Sequence, residues 1–454
     1  MIKEVWKPDE KLKSFLQDQD IRQNTNYKWS QYILPVEFEG KQFLFNLFTK
    51  QCIGYEGNYC KDEVFAAEAL ENDSTIRQLF QYYFLVPADR DECVFYEGII
   101  RLMRALYMKR EYNAYTILPT LACNARCVYC YEEGMKQVSM DEATQQKTID
   151  FILKTCRKDA PINLSWFGGE PLLGEKAIDR ICSALTDHGV DYYSTMITNG
   201  SLLNESIVDK MCGLWKLKNI QVSMDGAESD YKKRKNYPLY FDTYHKVLNN
   251  VNLLASRNIR TFIRCNTDPE NIPGMGQFIH ELSDHVENKK EVSVYFTPLF
   301  NVQGSIHSGE IWKKCLEIQK HAITAGFRYG SVTRLHSLKY NFCMAENPFS
   351  SAVISPEGFL YNCEHCVPGT ETGTIFDGVQ KEEYLNSFAF PETVRESCRN
   401  CAFLPECTAF SRCPIKLMDC YEVKKAQVLY DFEHDLNFVE RKNTDEKKEI
   451  NVFC

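Results

Sequence analysis

Between residues 116 and 320, short apolar runs alternate with stretches whose apolar residues recur every three or four positions. The runs Tyr115–Leu118, Ile162–Phe167, Tyr192–Ile197, Ile220–Met224, Thr261–Cys265 and Val292–Phe296 read as strands. The stretches Asp141–Thr155, Ala177–His188, Ser206–Leu214, Tyr244–Ser256 and Met275–Val286 read as helices. Six strands alternating with helices predict βαβ units and a parallel sheet, closed or partly closed. In a parallel barrel, chemistry sits on the loops at the C-terminal strand ends.

The flanks differ in texture. Ile33–Gly40 and Gln42–Phe48 are apolar or alternating and meet at Glu39-Gly40-Lys41, a predicted hairpin. Helical patterns follow at Val64–Leu70, Thr75–Phe84 and Cys93–Tyr107. A small sheet with three helices is the outline of a winged helix. Residues 340–420 are loop-rich and dense in cysteine, so that region needs staples, which metal clusters supply. Arg441–Lys448 is charged and reads as a solvated helix end. These textures predict four parts: 1–114, 115–325, 326–425 and a tail at 426–454.

A chain of 454 residues fits two or three domains, and 44% hydrophobic with 25% charged residues suits a globular protein. The net charge of −9 speaks against charge-driven binding of nucleic acid. Met1-Ile2-Lys3-Glu4 lacks the basic and apolar regions of a secretory signal, and no run is long and apolar enough to span a membrane. A cytoplasmic protein without membrane or nucleic-acid partners is expected. There, 20 cysteines point to metal rather than disulfides. Isolated Cys156, Cys182, Cys212 and Cys315 read as small buried hydrophobes. The groups at 123–130 and 343–420 do not.

The first group, Cys123-Asn-Ala-Arg-Cys127-Val-Tyr-Cys130, follows the strand Tyr115–Leu118. Three thiolates in eight residues ligate three irons of a [4Fe–4S] cluster and leave the fourth open to a chelating substrate. A structural zinc site would want a fourth ligand close by. The spacing resembles that of the radical S-adenosylmethionine (AdoMet) superfamily, with Tyr129 at that family's aromatic position. The resemblance implies that the amino and carboxylate groups of AdoMet bind the open iron. Reductive cleavage then gives a 5′-deoxyadenosyl radical.

Trp166-Phe-Gly168-Gly169-Glu170-Pro171 follows the next strand and matches the superfamily's GGEP motif. There, groups exposed by the glycines bind the AdoMet amino group, since a Cβ would block close approach. Further strand ends carry Thr198-Asn199-Gly200 and Ser223-Met-Asp225-Gly226. Both resemble family positions, with Asn199, Ser223 and Asp225 as cofactor candidates, although Asn-Gly and Asp-Gly also make plain turns. Arg264 is a candidate partner for the cofactor carboxylate, and Arg234 is its rival.

The C-terminal series is Cys343, Gly358, Cys363, Cys398, Cys401, Cys407, Cys413 and Cys420. It resembles the SPASM extension, which holds two auxiliary [4Fe–4S] clusters, with five residues between Cys407 and Cys413 where that family usually has three. A zinc ribbon is the alternative for Cys398–Cys420. The resemblance implies one cluster on Cys343, Cys363 and Cys413, completed by Cys366 or left open to a substrate thiolate. It implies a second on Cys398, Cys401, Cys407 and Cys420. Glu364 stands where formylglycine-forming relatives have an acidic base.

Together these resemblances imply a partial (β/α)6 barrel, a SPASM domain and three [4Fe–4S] clusters. The N-terminal part looks like peptide-recognition domains that bind a leader segment as an added strand, with Ile33–Phe48 as template. The expected activity is maturation of a ribosomally made precursor peptide, with thioether formation leading. Carbon–carbon cross-linking and formylglycine formation are the enzymatic alternatives, and a cluster-carrying binding or electron-transfer module is the non-enzymatic one. The partners expected are the precursor peptide with its leader and an electron donor such as flavodoxin or ferredoxin.

Overall fold

The computed structural model describes residues 2–13, 15–16, 25–108, 110–238, 242–299, 309–341, 343–366, 368–389, 394–407 and 420–450. The N-terminal part contains β1 (Ile2–Trp6), α1 (Glu10–Lys13), β2 (Tyr27–Trp29), β3 (Ile33–Phe38), β4 (Lys41–Asn46) and β5 (Cys52–Tyr55). It continues with β6 (Val64–Phe65), α2 (Ala67–Asn72), α3 (Ser74–Gln81), β7 (Leu85–Pro87) and α4 (Glu92–Tyr107). The expected hairpin is β3–β4, with Ile33 opposite Asn46 and Phe38 opposite Lys41. Two sheets form where one was expected: β1-β5-β4-β3 and β6-β2-β7. Val64 and Phe65, expected to open a helix, instead pair with β2, and Phe65 packs edge-on against Trp29 at 5.7 Å.

The barrel strands are β8 (Ala114–Thr120), β9 (Ile162–Gly168), β10 (Tyr192–Thr198), β11 (Leu217–Ser223), β12 (Arg260–Thr267) and β13 (Val292–Pro298). The helices between them are α5 (Glu142–Thr155), α6 (Glu175–Asp187), α7 (Glu205–Cys212), α8 (Glu228–Lys235), α9 (Thr243–Ser256) and α10 (Met275–His285). All six strands run parallel in sequence order. Their alternation explains the layering. In β9, Ile162, Leu164 and Trp166 are buried beneath the helices, while Asn163, Ser165 and Phe167 are half-buried on the opposite face. β10 repeats the pattern. Side chains start the helices where the sequence supplies them: Asp141 accepts from Thr144 N at 2.7 Å and Asn204 from Ile207 N at 3.0 Å.

Beyond β13 come α11 (Gly309–Thr324), β14 (Ser351–Ile354), β15 (Phe359–Tyr361), β16 (Gly373–Thr374), β17 (Gly378–Val379), α12 (Glu382–Ala389) and α13 (Cys420–Ile450). β14 pairs parallel with β8 and antiparallel with β15, so the expected hairpin carrying Cys363 extends the barrel sheet itself. The expected boundary at 425/426 falls inside α13. That helix packs on α11, with Gln319 donating to Tyr430 at 2.9 Å and Lys320 to Glu433 at 2.9 Å.

The N-terminal and C-terminal parts share one apolar core. Leu34, Val36, Tyr96 and Met103 pack with Leu335, Phe403, Val428 and Phe432, and Cys398, Cys401 and Cys407 lie against this cluster. Two buried ion pairs cross the junction, Lys50 with Glu406 and Arg104 with Glu346 at 3.2 Å. Of the isolated cysteines, Cys156, Cys182 and Cys315 are buried as expected, but Cys212, last in its helix, is exposed. No helix among the described residues is long and apolar enough to cross a membrane.

Candidate active site

The cysteine loop leaves β8 at Thr120 and is fastened from three sides. Gly169 N donates to Thr120 O at 3.2 Å and Glu170 N to Ala122 O at 2.9 Å. Asn199 Nδ2 donates to Asn124 Oδ1 at 2.8 Å, and Asn124 Nδ2 to Ser201 Oγ at 2.9 Å. Val128 N donates to Arg234 O at 3.0 Å and Arg126 N to Asn236 O at 2.8 Å, so the end of α8 seats the loop.

These contacts give the glycines a reason beyond the one expected from sequence. Gly168 has φ +118°, and a Cβ there would lie 2.3 Å from Thr120 O. A Cβ on Gly169 would lie 2.5 Å from Ala122 O and 2.6 Å from Leu121 O. The close approach is made by the chain's own cysteine loop. Pro171 opens the short 3-10 turn that follows. The Glu170 carboxylate is fully buried and accepts from Asn199 N at 2.8 Å, Thr198 Oγ1 at 2.7 Å and Leu172 N at 3.2 Å. It ties two strand-end loops together. Burial raises its pKa against those hydrogen bonds.

Tyr129 lies over a buried charge pair that no local pattern along the chain signals. Its hydroxyl donates to Asp225 and accepts from Lys235 Nζ at 2.9 Å and Asn266 Nδ2 at 3.2 Å. Lys235 stands 3.3 Å from Asp225 Oδ2, and both side chains are almost wholly buried. Asn266 N adds a bond of 2.9 Å to Asp225 Oδ1. The Lys235 pKa is raised well above the ordinary lysine value: burial acts to lower it, and Asp225, Cys127 and Tyr129 outweigh that. Asp225 is therefore engaged by the protein's own donors.

The two candidate arginines separate clearly. Arg234 is buried and paired with Asp268 at 2.5 Å. Arg264 is half-buried, donates through Nε to Asn266 Oδ1 at 3.1 Å, and stands in register beside Ser223. Ser223 and Arg264 thus present adjacent polar groups at the top of the strands.

The thiols fall into three sets. Cys123 is pushed up to about 11, by burial first, with Glu170, Cys127 and Cys130 adding to it. Cys366 is pushed up to about 12, by burial and then by Cys363, Glu132 and Glu364. Cys363 also acts on Cys343. Cys407 and Cys401 are both raised, chiefly by burial, and both feel Cys420 and Cys398. Cys413 lies outside the described residues. Thiols grouped in this way, several of them held protonated first by burial and then by neighbouring thiols, are a donor set that an iron–sulfur cluster relieves. The residues present fit such groups.

Between the first and second thiol sets lies an aromatic pair that no motif marks. The Tyr131 and His365 rings meet edge to face at 4.8 Å, next in sequence to Cys130 and Cys366. Glu132 is pushed up to about 7 by burial. Glu364 lies near enough to act electrostatically on both Tyr131 and Cys366.

A parallel βα sheet with a three-cysteine loop after its first strand is a radical SAM arrangement, and residues 117–280 match the Radical SAM superfamily. The chain thus carries a radical SAM domain. Residues of this chain are 31% identical over 170 positions to an uncharacterized protein of Methanocaldococcus jannaschii, covering 36% of this chain and 56% of that protein. The match therefore spans little more than half of that relative's length. A serine-type anaerobic sulfatase-maturating enzyme of Klebsiella aerogenes is 23% identical over 335 residues, covering 65% of this chain and 78% of the enzyme. The solved structure of anSMEcpe with bound AdoMet and the Cp18Cys peptide superposes with a TM-score of 0.54 at 18% identity, covering 72% of this chain and 99% of that one. That likeness shows the fold.

Proposed function

We propose that the protein is a radical SAM maturase of a ribosomally made precursor peptide. Cys123, Cys127 and Cys130 would hold a [4Fe–4S] cluster with one iron open to AdoMet. Cys343, Cys363, Cys366 and Cys413 would hold a first auxiliary cluster, and Cys398, Cys401, Cys407 and Cys420 a second. Bound there, AdoMet and the clusters supply a 5′-deoxyadenosyl radical and a one-electron acceptor, with a flavodoxin or ferredoxin as the external electron donor. Cys366 adopts a left-handed backbone, φ 44°, which is uncommon for a non-glycine residue.

The chain's own residues divide the remaining work. Arg264 and Ser223 are assigned to the AdoMet carboxylate and ribose, and the loop at Gly168 and Gly169 to its amino group. Tyr129, Glu170, Asn199 and Asp225 hold the loops that carry these groups. Glu364 is assigned as the acceptor of a substrate proton.

The observation that carries the peptide reading is the edge strand β3. It ends its sheet, exposes Pro35 and Glu37, and belongs to a part whose core is continuous with the second auxiliary thiol set. A leader segment added to that edge gains main-chain hydrogen bonds and is anchored beside the site. The preferred product is an intramolecular thioether, in which a cysteine S–H and a C–H are replaced by S–C. One hydrogen atom leaves to the adenosyl radical, one proton leaves to a base, and one electron leaves to the acceptor.

Formylglycine formation is the second reading, favoured by the sulfatase-maturating relative. Mass spectrometry of peptide treated with reduced enzyme and AdoMet separates the two. Loss of two hydrogens together with the free thiol supports the thioether, and a hydrazine-reactive aldehyde supports formylglycine.

A further inference from the structure

A cavity of about 380 Å³ opens at β13, the last strand of the barrel sheet among the described residues, on the face turned away from α5 to α10. In one row of the sheet, Gln221, Phe262 and Ser293 stand in register, one side-chain layer deeper than Ser223, Arg264 and Tyr295. The cavity is walled across from that row by Trp312 of α11 and Gln427 of α13. Its rim, Gly330–Val332, is held still by Asp431, which accepts from Ser331 Oγ at 3.0 Å and Val332 N at 3.1 Å.

Two features indicate what it takes. Among the described residues, no side chain lining it carries a charge. The lining instead offers amides, hydroxyls and aromatic rings, so a charged group entering it would lose its hydration with no counter-charge in the lining itself. Two of its donors, Ser293 Oγ and Trp312 Nε1, are buried and make no hydrogen bond among the described residues. Buried donors are ordinarily paired, so this wall is set to meet an acceptor oxygen. The volume falls at the small end of ligand sites, roughly 300–1,000 Å³.

We propose that this cavity is a docking pocket for an uncharged, aromatic or apolar residue of the peptide substrate, with Ser293 Oγ and Trp312 Nε1 donating to its main-chain carbonyl. The pocket rests on the peptide reading for its ligand. It adds the side-chain class selected at this face of the sheet.

The test uses the full-length, cluster-loaded protein and three probes: N-acetyl-L-phenylalanine amide, N-acetylglycine amide and N-acetyl-L-aspartate amide. Saturation-transfer NMR gives their relative affinities. The phenylalanine amide is expected to bind at least tenfold more tightly than the aspartate amide. Ser293→Leu, which fills the pocket, is expected to abolish that binding while leaving AdoMet affinity and melting temperature unchanged. Should Ser293→Leu fail to fold, Trp312→Phe is expected to weaken the phenylalanine amide at least fivefold. Equal binding of the charged and aromatic probes, or undiminished binding by the variant that folds, overturns the pocket. Probe binding that behaves as expected in an enzyme that modifies no peptide leaves the pocket standing and removes the maturase reading.

Discussion

Lys235 and Asp225 face each other at 3.3 Å in the interior, joined through the hydroxyl of Tyr129 to the loop that carries Cys123, Cys127 and Cys130. A buried pair of this kind is costly to break from one side, because the remaining charge keeps no partner. Lys235→Met is therefore expected to destabilise the protein by about 3–5 kcal/mol. The double variant Lys235→Met with Asp225→Asn should recover much of that loss. Denaturant unfolding of the three proteins checks it. Equal stability of the single and double variants would show that the pair is not coupled.

Gly169 tests how the cysteine loop is seated. Its added Cβ would meet the carbonyls of Leu121 and Ala122 at 2.6 and 2.5 Å, so Gly169→Ala must move the loop or its own turn. AdoMet affinity of the reconstituted variant is expected to fall at least about tenfold, equivalent to about 1.4 kcal/mol, with the protein still folded. Calorimetric titration with AdoMet reads it directly.

Asp91 joins the N-terminal part to the second auxiliary thiol set. It caps α4 through Val94 N at 3.0 Å and pairs with Arg399 at 2.6 Å. Its carboxyl is held below the usual range, first by the Val94 N–H and further by Arg399. A depressed carboxyl contributes stability above its unfolded pKa, about 4, and loses that contribution as pH falls through the folded value. Asp91→Ala is expected to cost about 1 kcal/mol at pH 7, and the difference from wild type should shrink on acidification below about pH 4. Urea unfolding of cluster-free protein at the two pH values measures both.

The three thiol sets give a stoichiometry. Three four-iron clusters require about twelve irons per chain after anaerobic reconstitution. Replacing Cys123, Cys127 and Cys130 together by alanine should leave about eight, and replacing Cys398, Cys401, Cys407 and Cys420 should also leave about eight. A wild-type value near four would mean that the C-terminal cysteines are not cluster ligands.

Much of the barrel was legible because its signals are local. Six apolar runs became β8 to β13, and the cysteine triad, the paired glycines and Glu170 all lie at strand ends. The charge network was not legible. Lys235 ends a helix whose sequence, Glu-Ser-Asp-Tyr-Lys-Lys-Arg-Lys, reads as a solvated surface, yet Arg234 and Lys235 are turned inward to Asp268 and Asp225. Only tertiary packing reveals which two of four successive cations are buried. The same holds for Asn124, Asn266 and Tyr131, whose roles depend on partners up to 234 residues away, as His365 is from Tyr131. The N-terminal hairpin was visible from its turn, whereas the second sheet there rests on two- and three-residue strands too short to carry a period.

The proposed function depends on reductive cleavage of AdoMet at a cluster held by Cys123, Cys127 and Cys130. It is tested by incubating the reconstituted protein with AdoMet and dithionite under anaerobic conditions and quantifying products by chromatography. 5′-Deoxyadenosine and methionine are expected together, dependent on reductant and absent from Cys127→Ala. Intact AdoMet in the presence of fully loaded, reduced protein would contradict it.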